Sequence, residues 1–358
     1  MTPRHRYNLA ATNNVIACQG GEDTLMEPRP IPEPGAGELL VKLRCVGFCG
    51  TDLFKLTNNL AKPGMVLGHE IVGEVVALGK GVKQFAKGDR VVVPHHVPCG
   101  SCHLCLNGNE TMCATFRDNL MEPGGFADHV LIRDRATALA THKVPDSVCD
   151  VAAVFMEPAA CVLRGVNRSN LSPNGTAAIM GGGSMGLLHL LVIKAVCPNA
   201  KVLLIDPVSN RCVLAAELGA DKTATPGPDA LAAAKAMTDG HGVDAVFDTV
   251  GGAPLLDAGL ALSRQGGTVI LFAHAPNDQR ADFDLNNFFR FERRIIGTYS
   301  GALYEQEAVF TLIASGLLNP TPLVSHTMPL DDFALGYSLA KSCQALKILF
   351  TPSRAASS

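Results

Sequence analysis

The sequence has no large surplus of either charge, since 30 Lys and Arg residues stand against 33 Asp and Glu, for a formal net charge of −3. A nucleic-acid-binding surface needs a concentration of basic residues that this composition does not supply. Long hydrophobic runs are missing as well. The longest apolar stretch, around residues 177–196, is broken by glycines, a histidine and a lysine, so its continuous runs are too short to span a bilayer. Neither nucleic acid nor a membrane is therefore expected as a partner.

The N-terminal segment lacks the pattern of a secretory signal. Arg4 and Arg6 are basic, but no apolar stretch of sufficient length follows them. We therefore expect a cytoplasmic protein. In that compartment thiols stay reduced, so the twelve cysteines indicate metal binding and buried thiols rather than a disulfide framework.

The 358 residues are too many for one ordinary core, which predicts more than one domain. Residues 38–94 form short β-branched runs between glycine-rich turns, a pattern typical of an all-β, barrel-like unit. After Pro158, candidate strands alternate with helices rich in Ala and Leu, which favours a doubly wound parallel sheet in an α/β fold. We expect domains at 1–162 and 163–301, with 302–358 returning to the first domain. The strands expected in the second domain cover residues 176–180, 201–205, 245–248, 268–272 and 294–299.

Four cysteines, Cys99, Cys102, Cys105 and Cys113, fall within fifteen positions of a Gly- and Pro-containing loop. Four thiolates close a tetrahedral coordination sphere, so this spacing predicts a structural zinc ion. The competing interpretation is an iron–sulfur cluster, which the missing proline after the last cysteine disfavours. A nucleic-acid-binding zinc ribbon is weaker still, because no basic patch accompanies the loop.

A second group of candidate ligands consists of Cys49 and, about twenty residues later, His69 and Glu70. A thiolate, an imidazole and a carboxylate on separate turns leave one open position on a metal, as catalytic zinc requires. A metalloprotease helix is excluded, because no second histidine stands where that motif needs one.

A glycine pattern typical of dinucleotide binding occupies residues 181–186, with Gly181, Gly183 and Gly186 in the required positions around Ser184 and Met185. An apolar run precedes the pattern, and a helix is expected to start near residue 187.

Asp206 ends the next expected strand, about twenty residues after the glycines. An acidic side chain there accepts hydrogen bonds from the adenine ribose and repels the extra phosphate of NADP. Asp206 therefore favours NAD.

Taken in order, these motifs and the Met156-Glu157-Pro158 string resemble the zinc-containing medium-chain dehydrogenases, especially their sorbitol, threonine and polyol branch. The resemblance covers nearly the whole chain. It implies a GroES-like β-rich catalytic domain and a Rossmann coenzyme domain. In that family, residues matching Cys49 and His69 bind the catalytic zinc, while those matching Glu70 and Glu157 bind it or exchange with a water. Which carboxylate is the resting ligand stays open.

The resemblance also implies roles outside the metal ligands. Phe54 stands where threonine dehydrogenases typically have a histidine, which counts against threonine as substrate. Thr51 is then the best candidate for the hydroxyl that takes the proton from the substrate alcohol. Arg211 is expected beside the adenosine, although a surface cation on a helix is an equal alternative.

The expected function is oxidation of a secondary hydroxyl of a polyol, sugar, cyclitol or secondary alcohol to a ketone. NAD and two zinc ions per chain are the expected cofactors, and relatives of this kind imply a homotetramer or homodimer. A zinc-free reductase of the same fold is disfavoured by Cys49 and the four-cysteine loop. A non-enzymatic, zinc-binding or regulatory relative of the same fold is the remaining alternative.

Overall fold

The computed structural model describes residues 7–354, so Arg4 and Arg6 of the N-terminal segment lie outside the described residues. The chain divides into two compact units, one of residues 1–157 and 302–358 and one of residues 158–301. The division falls at Glu157, five positions before the expected boundary, inside a continuous helix that covers Met156–Ser169.

The strands in chain order are β1 (Tyr7–Gly20), β2 (Asp23–Pro32), β3 (Leu39–Gly47), β4 (Glu70–Leu78), β5 (Arg90–Pro94), β6 (Met121–Glu122), β7 (His129–Ile132), β8 (His142–Lys143), β9 (Thr176–Met180), β10 (Lys201–Ile205), β11 (Lys222–Ala224), β12 (Val243–Asp248), β13 (Ser263–Leu271), β14 (Arg294–Gly297), β15 (Val324–Pro329) and β16 (Lys347–Thr351).

The helices are α1 (Gly50–Thr57), α2 (His103–Leu106), α3 (Asp134–Leu139), α4 (Asp150–Ala153), α5 (Met156–Ser169), α6 (Ser184–Val196), α7 (Ser209–Glu217), α8 (Pro228–Met237), α9 (Ala253–Leu262), α10 (Leu285–Arg290), α11 (Leu303–Ala314) and α12 (Phe333–Lys341). None of them, within residues 7–354, has the length and apolar character needed to cross a bilayer.

The first unit contains a curled sheet in the order β15-β16-β3-β4-β5-β8, with β7 pairing with β3 and β6. Strand β3 is buried except at Lys42 and Arg44, which alternate with buried residues in its middle, as expected where one face covers a core. Four aromatic rings meet in that core: Phe48, Phe126, Phe333 and Phe350. Residues after 302 thus complete the core that the first part of the chain begins.

The second unit is a six-stranded parallel sheet in the order β11-β10-β9-β12-β13-β14. Strands β9 and β10 are almost wholly buried apolar runs, which is typical of parallel strands covered on both faces. The strand order reverses beside β9, and the crevice at such a reversal is where open α/β sheets bind ligands. The predicted fold class, a β-rich catalytic domain with a doubly wound parallel-sheet domain, is confirmed.

Candidate functional site

The first candidate metal centre forms where the ends of three neighbouring strands meet. Gly47 at the end of β3 pairs with Glu70 at the start of β4, and Glu70 pairs with Pro94 at the end of β5. Cys49 lies just beyond β3 as the N-cap of α1, and His69 immediately precedes β4. The ligand atoms of Cys49, His69 and Glu70 lie within 4.8 Å of one another. Strand register therefore brings the predicted ligands together.

His69 is oriented by a fully buried carboxylate that the sequence analysis did not single out. Asp52 Oδ1 lies 3.4 Å from His69 Nδ1, and Asp52 also accepts from the backbone N–H groups of Cys49 and Gly68. Engaging Nδ1 leaves Nε2 of His69 for a metal, an arrangement that recurs at metal sites. Burial opposes the protonation of His69, but the Asp52 carboxylate and the Cys49 sulfur outweigh it and raise the His69 pKa well above its ordinary value.

Glu70 is paired with a lysine from the opposite end of the chain. Lys347 Nζ forms an ion pair with Glu70 Oε2 and donates to the Phe48 carbonyl at 3.2 Å. Burial opposes the charge on Lys347, but Glu70 outweighs it and raises the lysine pKa. Gly47 makes room for this pair, because a Cβ at that position would collide with the Glu70 carboxylate. Sequence reasoning missed Lys347, since nothing near it in the sequence indicates a metal site.

His95 was also missed. It follows β5, and its ring lies 4.3 Å from that of His69 and 3.5 Å from that of His96. The ligand atoms of His69, His95 and Glu157 form a second group within 4.8 Å of one another. Burial first, and then His69 and His96, lower the His95 pKa well below its ordinary value, so its ring is neutral at pH 7. Two adjacent histidines shortly before a cysteine loop were the available signal.

Thr51 lies in the first turn of α1, and its backbone N–H lies 3.4 Å from Cys49 Sγ. The side chains of Thr51 and Phe54 are both partly exposed. The Thr51 hydroxyl, predicted to accept the substrate proton, therefore lies on the same turn as Cys49, the predicted thiolate ligand.

The donor set suits a zinc ion. A sulfur, imidazole nitrogens and carboxylates are the ligands that zinc takes, and His69, Glu70 and Glu157 are all buried. The Nδ1 atom of His95 is buried and has no hydrogen-bond partner among the described residues. A cation would satisfy such an atom, so the residues present fit the metal.

The four-cysteine loop forms a compact second centre. The sulfurs of Cys99, Cys102, Cys105 and Cys113 lie within 4.8 Å of one another, and buried Phe116 packs against them. The Ser101 backbone N–H, with further donors, lowers the Cys99 pKa to about 6, whereas burial raises the Cys105 pKa to about 12. Cysteine binds a metal ion as its thiolate. A metal ion that binds this loop therefore has to displace protons from the cysteines.

The predicted dinucleotide motif forms a tight turn between β9 and α6. Gly181 has a φ of +103°, and a Cβ at Gly186 would collide with the Gly181 carbonyl oxygen. At Gly183, the N-cap of α6, no atom lies within 4 Å of an added Cβ, so the backbone there is open to a ligand. The helix starts at Ser184 rather than near residue 187, which places Ser184 and Met185 in its first turn. Its backbone N–H groups form an anion-binding end.

Asp206 directly follows β10 and is almost fully buried. Its carboxylate accepts from the backbone N–H of Gly182 at 2.6 Å and of Val208 at 2.8 Å. Arg211 Nη1 lies 3.5 Å from Asp206 Oδ2. Asp206 thus links the glycine turn to the end of β10, and the Arg211 guanidinium lies beside its carboxylate.

Comparison with known proteins agrees with this architecture. Residues 35–146 match the family described as alcohol dehydrogenase GroES-like domain, and residues 184–315 match the zinc-binding dehydrogenase family. A sorbitol dehydrogenase from Halalkalibacterium halodurans is 30% identical over 91% of this chain and 95% of its own length. The chain belongs to the zinc-dependent alcohol dehydrogenase family.

Further similarities fall within the same family. An L-threonine 3-dehydrogenase from Thermococcus kodakarensis is 30% identical over 90% of this chain and 93% of its own length. A solved structure described as a zinc-binding dehydrogenase from Sinorhizobium meliloti 1021, bound to NADP, has a TM-score of 0.86 at 28% identity and covers 96% of this chain and 100% of that chain. The predicted membership of the polyol and threonine branch of this dehydrogenase family is confirmed.

Proposed function

We propose that this zinc alcohol dehydrogenase oxidises a secondary hydroxyl of a polyol, sugar, cyclitol or small secondary alcohol to a ketone, with transfer of hydride to NAD. The observation that carries the proposal is the convergence of Cys49, His69 and a carboxylate in one unit. A separate four-cysteine centre and a glycine turn ended by Asp206 accompany it. The relatives named above act on sorbitol and L-threonine, both of which carry a secondary hydroxyl.

When bound, zinc supplies a Lewis acid that lowers the pKa of the substrate hydroxyl, and the nicotinamide accepts the hydride. Cys49, His69 and either Glu70 or Glu157 hold the metal, and Asp52 keeps His69 in its binding orientation. The ion pair with Lys347 favours Glu157 as the resting carboxylate, because Glu70 is already neutralised. Thr51 takes the proton that leaves the substrate hydroxyl.

The coenzyme is bound by the turn between β9 and α6. Gly181, Gly183 and Gly186, with the first turn of α6 at Ser184 and Met185, receive the pyrophosphate. Asp206 accepts from the ribose hydroxyls while retaining its bonds to the turn, since a carboxylate offers about four acceptor sites. Arg211 flanks the adenosine.

We further propose a cytoplasmic homodimer or homotetramer. All twelve cysteines lie among the described residues and none forms a disulfide, which suits a reducing compartment. Leu285 and Phe289 are exposed on α10, which precedes the edge strand β14 in the chain, and exposed apolar side chains of this kind are used in subunit contacts.

A metal assay combined with a substrate screen tests the proposal. Purified protein should contain about two zinc ions per chain, and it should reduce NAD with members of a panel of polyols, sugars and secondary alcohols. Cys49→Ser should abolish turnover while NAD binding persists. Two zinc ions with no turnover on any panel member would favour the non-enzymatic alternative, and a chain without zinc would favour the zinc-free reductase.

A further inference from the structure

His69 is shared by two groups of potential ligands. One group joins it to Cys49 and Glu70, and the other joins it to His95 and Glu157. Glu70 and His95 come from neighbouring strand ends, since Glu70 pairs with Pro94 and His95 is the next residue, whereas Glu157 lies in α5. The second group contains no sulfur, and neither the family motifs nor the predicted ligand set includes His95.

His95 packs against the rings of His69 and His96, and unlike His96 it also lies beside a carboxylate with which it could share a metal. Its Nδ1 is buried without a hydrogen-bond partner among the described residues and lies 3.8 Å from Glu157 Oε1. A buried ring nitrogen left in this way is costly unless something binds it. Nitrogen and carboxylate oxygen at this separation can both reach a cation placed between them, because metal–ligand distances are about 2 Å.

The buried lysine Lys347 forms its ion pair with the carboxylate of the first group. Lys347 already neutralises Glu70, so binding by the first group requires a metal to compete with a buried ammonium for that carboxylate. The second group offers two imidazoles and one carboxylate, a ligand set that several divalent metals accept.

We propose that His95 is a ligand of the catalytic-site metal, and that His69, His95 and Glu157 form a second metal position beside the one that uses Cys49. This inference rests on the proposed function and deepens it. The thiolate position suits zinc. The sulfur-free position accepts harder cations as well, including Co²⁺, Mn²⁺ and Fe²⁺. The metal thus has two positions that differ in whether they include a thiolate ligand.

Cobalt distinguishes the two positions, because only a sulfur ligand gives a thiolate-to-cobalt charge-transfer band. Full-length protein is dialysed against a weak chelator so that zinc stays in the four-cysteine loop, and Co²⁺ is then titrated into the other centre. The readouts are the number of Co²⁺ bound, the dissociation constant and the absorption spectrum. None of them depends on turnover.

The decisive variant is Cys49→Ser. It should still bind one Co²⁺ per chain, with ligand-field bands but without the charge-transfer band, and Cys49→Ser/His95→Gln should bind none at this centre. His95→Gln alone should weaken Co²⁺ binding by at least about tenfold, the scale of losses at metal-site positions. His96→Gln is the matched control, since His96 is the adjacent partly exposed histidine and belongs to neither group, and it should bind as the wild type does.

Two results would overturn the inference: loss of all Co²⁺ from the second centre in Cys49→Ser, or unchanged affinity in a folded His95→Gln protein. Circular dichroism and the thermal unfolding of each variant identify a folding defect. If the wild type itself binds no metal beyond the four-cysteine loop, the proposed function fails. If the wild type binds Co²⁺ and reduces NAD but His95→Gln has no effect, only the role of His95 fails.

Discussion

Lys347 Nζ forms a buried ion pair with the carboxylate of Glu70, and the two side chains are only 4% and 1% exposed. The pair connects β16 with the start of β4 through β3, because Leu349 pairs with Gly47 and Gly47 pairs with Glu70. The last strand of the sheet therefore supplies a cation to a candidate ligand of the metal.

Replacing the lysine should be costly. Lys347→Met leaves the Glu70 charge buried without its partner, and we expect the free energy of unfolding to fall by about 3–5 kcal/mol. Denaturant unfolding measures this. Lys347→Met/Glu70→Leu should recover most of the loss, and Lys42→Met on the exposed face of β3 should change little. A single variant as stable as the wild type would show that the pair contributes nothing.

The four-cysteine loop should behave as a structural metal centre. Cys113→Ser removes one of four converging sulfurs, so the protein should lose about one zinc ion per chain and unfold at a lower temperature. Metal analysis and calorimetry provide the readouts. Cys343→Ser, at an exposed thiol outside all three groups of potential metal ligands, is the control and should keep its full zinc content. Full zinc in Cys113→Ser would contradict the assignment.

Asp206 should determine the choice between NAD and NADP. Asp206→Ala removes the ribose acceptor and the negative charge beside Arg211, so the site no longer repels the extra phosphate of NADP. A charged hydrogen bond is worth about 1.5–3 kcal/mol, so kcat/KM for NAD should fall by about ten- to a hundredfold while the ratio for NADP over NAD rises. Asp257→Ala, on the exposed surface of α9, is the control. An unchanged preference would refute the role of Asp206.

Asp244 should make the second unit sensitive to acid. Its carboxylate accepts from Arg264 at 2.6 Å and from the Thr176 backbone and hydroxyl at 2.7 and 2.8 Å. Burial opposes its ionisation, but these donors outweigh burial and lower its pKa. A lowered folded pKa means that the stabilisation is complete above the ordinary Asp pKa of about 4 and is lost as the pH falls through the folded value.

Asp244→Asn should therefore lower the free energy of unfolding by about 1–2 kcal/mol at pH 7, a value discounted for partial exposure. The difference from the wild type should shrink in acid, below pH ~4. Denaturant unfolding at a series of pH values tests this, with Asp257→Asn as the control. A difference that stays constant with pH would mean that the charge of Asp244 is not responsible.

The local sequence pattern was sufficient to predict an element that depends on a single strand or a single turn. Strands β9 and β10 have the predicted bounds, because each is a short apolar run between turn residues. Other elements differ by a few residues: β13 begins at Ser263 rather than at residue 268, and β14 ends at Gly297 rather than at residue 299. These ends depend on pairing with neighbours, which the local sequence does not specify.

The residues of the candidate site also fall into those that a local sequence pattern reveals and those that it does not. Cys49, His69 and the four-cysteine loop could be found from spacing. Asp52 and Lys347 could not, since their importance depends on which strand ends become neighbours in the curled sheet. For His95 the sequence offered only its position beside a second histidine before the cysteine loop. Lys347 is the extreme case, because it acts on a residue far away in the chain and no local motif surrounds it.

Lys347 lies 299 positions after Phe48, whose carbonyl it binds, and the whole second unit, residues 158–301, is synthesised between them. A growing chain therefore makes Cys49, His69 and Glu70 long before it makes the cation that neutralises Glu70. Until β16 leaves the ribosome, the sheet of the first unit lacks β16 and the strand β15 that pairs with it, and Glu70 lacks its cation. The coenzyme-binding unit, continuous in sequence, is then free to fold first, which reverses the usual order in which domains mature from the N-terminus.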